Sequence, residues 1–499
     1  MAGAVKCVCI RRKRNDKGVI EEYMLKDRHG KVVVLKAKEV KAGITAGKLD
    51  VLNLTLTKDN RIIEKQIKKP MQREKSEIEK IINTAILKGG NIYQVYDSEV
   101  CDKSIRIADL DGNVAVWIPD NVTYVHKLYS AIRGKYKNLA IFGGEGLTDI
   151  EDMLLYIKCN ELNLTNLVTK KVQNMSHMFD SCEACKIKFG NFNTSSVTNM
   201  ECMFRRVEFN TSFCENEDTP MLVLDISMFN TKSVINMRGM FDGCKAKIIG
   251  LDKFDMSYVE NMSEMFRYME CPELTFNWNT IKVSDMSLVF CGTTCKNFNV
   301  KLNTANVKDM HGMFSKSTLD KIDLTGFDVR NVVDMEEMFS FCNAPIIKLG
   351  TFKANKVRTT RRMFGDCGAT RLDLKKFSTE VLEDASCMFQ DCWAKELDLG
   401  SLNTEYTSDM SYMFSNCKAT KINVSSFITS FVTDMTAMFE GTKVVELNLT
   451  NFDTSSVEKM SYMFKDSEVK KLDISSFSFL NTEYTLSMFE GVVADIKEP

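Results

Sequence analysis

Proline is scarce, with six in 499 residues, and apolar residues recur periodically throughout, which excludes a disordered chain. No run of eighteen apolar residues occurs, so the sequence encodes no transmembrane helix. The start, Met1 to Asp16, is basic and then polar and lacks the apolar stretch of a secretory signal. Histidine is equally sparse: His29, His126, His177 and His311 are the only four. None has a second histidine at helical ligand spacing, and the zinc-protease pattern His-Glu-x-x-His is missing. Gly143-Gly-Glu-Gly146 is followed by no Gly-Lys-Ser/Thr, which argues against a nucleotide-binding loop. No Ser/His/Asp arrangement is visible. The sequence therefore predicts neither an enzyme nor a bound cofactor or metal.

Charge balances overall, with 66 Lys+Arg against 67 Asp+Glu, but it is unevenly placed. Residues 1–75 carry 20 basic and 9 acidic side chains, a net of +11, and the remainder carries 46 and 58, a net of −12. Seventeen cysteines, an odd count, fit a reducing compartment better than a disulfide framework. The expected location is the cytoplasm.

The dominant feature is repetition. Met-Phe pairs begin at 178, 203, 240, 265, 313, 338, 363, 388, 413, 438, 463 and 488, and from 313 onward every step is 25 residues. Val289-Phe290 divides the gap between 265 and 313 into two steps of 24, and Met153 and Leu128-Tyr129 extend the phase backwards. The one long step, 203 to 240, holds a polar insertion around Cys214–Pro220. Each unit follows one order. A cysteine or small residue stands three residues after the Phe, as at Cys182, Cys244, Cys342, Cys367, Cys392 and Cys417. An alternating triplet follows, such as Leu397-Asp398-Leu399, with the period of a strand whose apolar residues point inward. Then come Phe or Leu, Asn or Asp, and Thr, as in Phe452-Asp453-Thr454. Val457, Met460, Met463 and Phe464 have the spacing of a short helical or 3₁₀ turn.

The sequence thus predicts an α/β solenoid of about 14 repeats of 25 residues, with a continuous parallel sheet on one wall and a rod on the order of 65 Å long. Of the 30 methionines, 23 occupy the two Met positions of the repeat, which assigns them to the core rather than to a soft-metal site. Cys182-Glu-Ala-Cys185 and the Cys291/Cys295 pair have metal or redox spacing, but no second matching pair completes a zinc site. A column of buried thiols is the expectation.

Asn174-Met-Ser-x-Met-Phe179, its copy at 261–266 and Phe452-Asp-Thr-Ser-Ser-Val457 resemble the BspA-like leucine-rich repeat family, in the type found in mycoplasma lipoprotein-associated proteins. The resemblance covers about residues 122–499. It implies a right-handed leucine-rich-repeat-like coil and, for many family members, a cell-surface role.

Ahead of the solenoid, residues 1–70 read as a small basic β-rich α+β module. Val5–Ile10 and Val19–Leu25 form a hairpin, strands follow at Val32–Leu35 and Val51–Thr57, and a short helix lies near Ala37–Ala46. Residues 71–121 read as a link and cap: a helix from the capping box at Ser76 to Gly89-Gly90, then a hairpin over Ile105–Ile118 about Asp111-Gly112. Residues 122–499 form the solenoid. After Met488-Phe489 too few residues follow to reach another strand, so Leu472–Ile474 is expected to end the sheet.

Two surfaces carry candidate function. One is the solvent face of the strand wall, with Asp323, Arg371, Asp373, Glu396 and Asp398 as partner-binding residues. An apolar break at Val223, Ile248 and Ile346 accompanies them. The other is the basic run Arg11-Arg12-Lys13-Arg14 at the expected tip of the first hairpin, a candidate phosphate contact for nucleic acid. The function expected is non-catalytic protein binding inside a bacterial cell. The net of −12 favours a basic partner, in the sharpest version a nucleic-acid-handling protein inhibited or sequestered as phage or mobile-element proteins do. The alternatives are a surface adhesin and a nucleic-acid-binding module.

Overall fold

The structure, a computed structural model, describes residues 113–130, 132, 136–209 and 221–499. Ahead of them it describes residues 38–40, which are helical, and the backbone of eight strands: β1 (Val5–Arg14), β2 (Ile20–Asp27), β3 (Val32–Lys36), β4 (Leu49–Val51), β5 (Leu54–Leu56), β6 (Ile62–Glu64), β7 (Gln94–Ser98) and β8 (Ile105–Asp109). The helix expected from Ser76, most of the one near Ala37–Ala46, and the insertion at Cys214–Pro220 lie outside the described residues. The chain divides into two compact units, residues 1–89 and 90–499. Among the described residues no helix is long and apolar enough to cross a membrane.

The first unit holds a four-stranded sheet in the order β3-β2-β1-β4, with β4 parallel to β1, and an antiparallel pair β5-β6. The first hairpin is longer than its apolar residues suggested. β1 pairs with β2 as far as Arg14, with Arg11 opposite Met24, Arg12 opposite Tyr23 and Lys13 opposite Glu22. Arg11–Arg14 therefore form the end of a paired strand, not the tip of the turn. Backbone pairing does not require apolar side chains, so the polar end of the strand was hidden from a pattern reading.

In the second unit the hairpin expected over Ile105–Ile118 is present, as β8 against β9 (Asn113–Ile118). β9 then pairs in parallel with β10 (Tyr136–Gly143), and β11 (Lys158–Leu167) and β12 (Glu183–Lys188) follow, giving the order β12-β11-β10-β9-β8-β7. From there the chain winds as a parallel β-solenoid of about fifteen turns. Its unbroken ladder is a column of single-residue bridges, one per turn, running through Tyr124, Asp149, Asn174 and Asn199 to Asp434, Lys459 and Tyr484.

The strand wall is not one continuous sheet. β13 (Leu222–Asp225) pairs with β14 (Ala246–Ile249), and β15 (Glu270–Trp278) with β16 (Thr294–Leu302), whose start pairs with β17 (Thr318–Leu319). β18 (Ile322–Asp323) pairs with β19 (Ile346–Lys348), which pairs in turn with Arg371–Asp373. Separate groups join Glu396–Asp398 to Lys421–Asn423, and Glu446–Leu447 to Lys471–Asp473. Strands of only two or three residues leave the pairing interrupted, even where every step is 25 residues. The bridge column on the other arm survives because its backbone geometry repeats.

That arm is not helical. In the last full turn the N–H groups of Met460, Tyr462, Phe464 and Asp466 donate to the carbonyls of Tyr484, Leu486, Met488 and Glu490 in the next turn, at 2.8–3.0 Å. The intervening N–H groups of Met463, Lys465 and Ser467 donate back to Met460, Tyr462 and Phe464. This alternation needs a left-handed residue every fourth position: Tyr462 at φ 61 and Asp466 at φ 52, and likewise Glu337 and Phe341 or Arg362 and Asp366. The spacing of Val457, Met460, Met463 and Phe464 mimics a helix because both geometries return to one face within three to four residues.

The core is a set of parallel ladders. Thirteen rings from Phe179 to Phe489, those of the twelve Met-Phe pairs and Phe290, stack in one file, neighbouring centroids 5.0–5.8 Å apart. Each such contact is worth ~0.5–1.5 kcal/mol beyond its buried area. Met178, Met463 and their equivalents are fully buried beside them. Gly143 and Gly144 adopt left-handed backbone where β10 closes against the preceding turn, and a Cβ on Gly143 would strike the Ile118 carbonyl. The glycine-rich turn thus serves close packing. At the C-terminal side, Asp495–Lys497 reaches the wall after all and pairs with Lys471–Asp473. Only three residues are needed to make such a strand, so Leu472–Ile474 does not end the sheet.

Candidate interaction wall

The residues singled out on the wall fall on successive turns in one register. Asp323 pairs across to Lys348, Ile346 to Arg371, and Lys348 to Asp373; Glu396 and Asp398 occupy the corresponding places one turn later. Asp323, Arg371, Asp373 and Glu396 are exposed, and Ile346 and Asp398 half-buried. The wall therefore brings all six together over four turns. Alternation in each triplet produces this, with Ile347, Leu397 and Leu399 buried beneath.

The apolar break is shifted by one residue from its expected place. Val223 lies opposite Lys247, and Asp225 opposite Ile249. Val223 and Ile249 are the exposed pair, whereas Ile248 packs against the core. A 24-residue step here, next to the insertion, moves the register by one position and exchanges the faces.

Three pairs of wall charges are joined across one turn. Lys188 reaches Glu161 at 2.6 Å, Lys421 reaches Glu396 at 3.2 Å, and Lys497 reaches Asp473 at 2.9 Å. Asp398 accepts from the Asn423 amide at 2.8 Å. Burial opposes ionisation of Asp323, but the Thr325 hydroxyl and amide outweigh it and hold the carboxyl below its ordinary range. At half-buried Asp473 the Ser475 hydroxyl and amide, with Lys497, lower the carboxyl to about 2.

The wall holds a cleft of about 530 Å³ between β16 and the following turn. Asn299, Val300 and Lys301 form one side, and Lys321, Asp323, Thr325 and Gly326 the other.

Compared with known protein families, residues 104–218, 148–273, 271–377, 321–427 and 408–494 match the family described as "Mycoplasma protein of unknown function, DUF285". The chain belongs to that family. No curated protein and no solved structure matches it. Five overlapping matches along one chain are the mark of a repeat family, in agreement with the turns of the solenoid.

Within this DUF285 solenoid the column of thiols is present: Cys182, Cys244, Cys342, Cys367, Cys392 and Cys417 are free and buried. Burial pushes Cys182 and Cys244 well up, and Cys159 up to about 12, which keeps them protonated and unreactive. Cys182 and Cys185 are not a pair, since Cys185 is disulfide-bonded and Cys182 is free. Cys295 lies opposite Cys271 on the neighbouring strand.

Sequence reasoning missed three mixed clusters whose members come from adjacent turns: His126 with Asp149 and Glu151, His311 with Asp334 and Glu336, and His177 with Glu201 and Cys202. The signal was a histidine 23–25 residues ahead of acidic side chains, visible only once the turn length is applied. Protein groups already engage all three, Asn174 donating to Asp149 in the first. Arg361 holds Glu336 at 2.9 Å, and His177 faces Asp180 at 3.1 Å, which raises the histidine and helps lower the carboxyl. The Arg11–Arg14 run lies in β1 of the first unit, apart in sequence from every element of the wall.

Proposed function

We propose that this protein is a non-catalytic protein-interaction scaffold whose strand wall is the binding face. The observation that carries the reading is the division of the turn. Its interior is filled by Phe, Met, Cys and Thr ladders, while Asp323, Ile346, Arg371, Asp373, Glu396 and Asp398 stand in register on a wall anchored from behind. A rigid wall of repeated turns presents many weak contacts at fixed spacing, which suits a protein surface better than a small substrate.

The 25-residue period with a two-residue alternation on the wall supports a solenoid of the leucine-rich class. A partner chosen by net charge, such as a basic nucleic-acid-handling protein, gains little from the wall itself, because the wall carries both signs of charge, with Asp323 and Asp373 beside Lys348 and Arg371. Recognition there runs through shape and individual hydrogen bonds, and the basic first unit is the part suited to phosphate.

The test is quantitative co-purification from the cells that make the protein. Ile346→Asp with Arg371→Glu should reduce the captured partner at least tenfold, whereas Lys171→Glu, at an exposed position in the turn before the Asn174 bridge, should leave capture unchanged. Equal capture by all three proteins would refute the wall as binding face.

A further inference from the structure

Resting on the scaffold reading, we infer that the cleft beside β16 is a docking slot for an extended peptide segment, added to the wall as an extra strand. β16 is nine residues long and pairs along its whole length with β15 in the preceding turn. On the following side β17 meets only Thr294 and Cys295. The stretch Phe298–Leu302 continues with no strand beside it among the described residues. Its backbone orientation is fixed by two contacts. The Phe298 N–H points towards the following turn and donates to Asp320 Oδ1 at 3.1 Å, while the Asn303 N–H points back to the Trp278 carbonyl. Alternate residues share a side, so Val300 presents its N–H and C=O to the cleft. The Asp320 carboxylate caps the first position of this edge, and the next ones lie open.

The opposite side is set back because β18 is only two residues long and the chain then turns through Thr325 and Gly326. The volume of about 530 Å³ falls within the range of ligand sites, roughly 300–1,000 Å³. The edge from Phe298 to Leu302 offers about 15 Å of strand at ~3.3 Å per residue. Main-chain pairing to such an edge supplies affinity, and the side chains along it supply choice.

Those side chains specify the occupant. Below lie the buried Phe298, Val300, Leu302 and Phe327. At the rim stand Lys301 and Lys321, both exposed and neither in a salt bridge among the described residues, with Asp323 beside Lys321. The occupant is therefore an extended segment alternating apolar and acidic residues, apolar side chains down and carboxylates beside the two lysines. The chain's own wall strand Glu396-Leu397-Asp398-Leu399 has that pattern.

A labelled nine-residue peptide copying residues 394–402, titrated against the full chain by fluorescence anisotropy, tests this. The wild type should bind it, and a peptide carrying Leu397→Pro, which cannot donate at the centre, should bind at least tenfold more weakly. Gly326→Trp fills the cleft where a Cβ would meet nothing within 4 Å, so it should abolish binding with an unchanged thermal unfolding curve. Lys301→Glu with Lys321→Glu should weaken binding at least tenfold. No binding by the wild type, or equal binding by Gly326→Trp, overturns the slot. Either failure leaves the scaffold reading standing, because that reading is judged on Ile346 and Arg371 with the captured partner.

Discussion

Thr429 closes both polar groups of Asp453 in the next turn: its hydroxyl donates to the Asp453 carbonyl at 2.8 Å and accepts the Asp453 N–H at 2.8 Å. The same double contact recurs from Thr404 to Ile428 and from Thr454 to Ser478, with the threonines buried. A hydroxyl at this corner does what a strand would do elsewhere, carrying the turn-to-turn ladder through a place where the backbone bends.

Thr429→Val keeps the shape and removes both bonds, leaving a donor and an acceptor buried. It should cost ~1–3 kcal/mol in denaturant unfolding. Thr429→Ser, which retains the hydroxyl, should recover most of that loss.

Left-handed residues on the Met-Phe arm carry a backbone cost of ~1–2 kcal/mol each when they are not glycine. Glu337, at φ 55, is such a residue. Glu337→Gly should leave stability unchanged or raise it by up to ~1 kcal/mol, the relief of strain being offset by chain entropy. Gly250→Ala should do the opposite, because Gly250 sits at φ 101 and its Cβ would collide with the Ser227 backbone. Thermal unfolding of both variants checks the pair.

Asp309 stands in the bridge column between Asp285 and Asp334. Burial raises its carboxyl above the ordinary range, and the two neighbouring aspartates add to this. A raised carboxyl is a penalty on the ionised folded state. The penalty is absent below the unfolded value of about 3.9 and complete above the folded one. Asp309→Asn, the side chain used at Asn174, Asn199, Asn236 and Asn261, can still accept the His311 N–H that Asp309 accepts at 2.8 Å. It should raise the melting temperature at pH 7, and the gain should vanish as the pH falls below about 3.9.

The phenylalanine file is a stack of nearest-neighbour contacts. Phe364→Ala, between Phe339 and Phe389 at 5.1 and 5.4 Å, should cost ~3–5 kcal/mol. Hydrogen exchange should then show the loss of protection concentrated in the turns around it, with distant turns such as that of Phe204 retaining theirs.

The period, the inward residues and most wall registers were legible because a 25-residue step repeats both the strand alternation and the Met-Phe pair. Glu396, Leu397 and Asp398 fall where alternation puts them. Ile248 did not, because one 24-residue step beside an insertion shifts the face. The arm was read as helical because glycine marks its left-handed sites in only some turns, as at Gly239, Gly312 and Gly441, while Glu337, Arg362 or Tyr462 hold them in others, so no constant residue type announced them. The cleft was invisible for another reason. The length of β16 and the shortness of β18 are set by pairing across turns, which no local pattern in Asn299–Leu302 or Lys321–Asp323 encodes.

The most direct test of the wall as binding face is hydrogen–deuterium exchange on the full chain, alone and with its captured partner purified. The account predicts new protection across the wall strands from Ile322–Asp323 to Glu396–Asp398, with the bridge column from Asp309 to Asp409 unchanged. Protection confined to the bridge column or to the Met-Phe arm, with the wall strands unaffected, would contradict it.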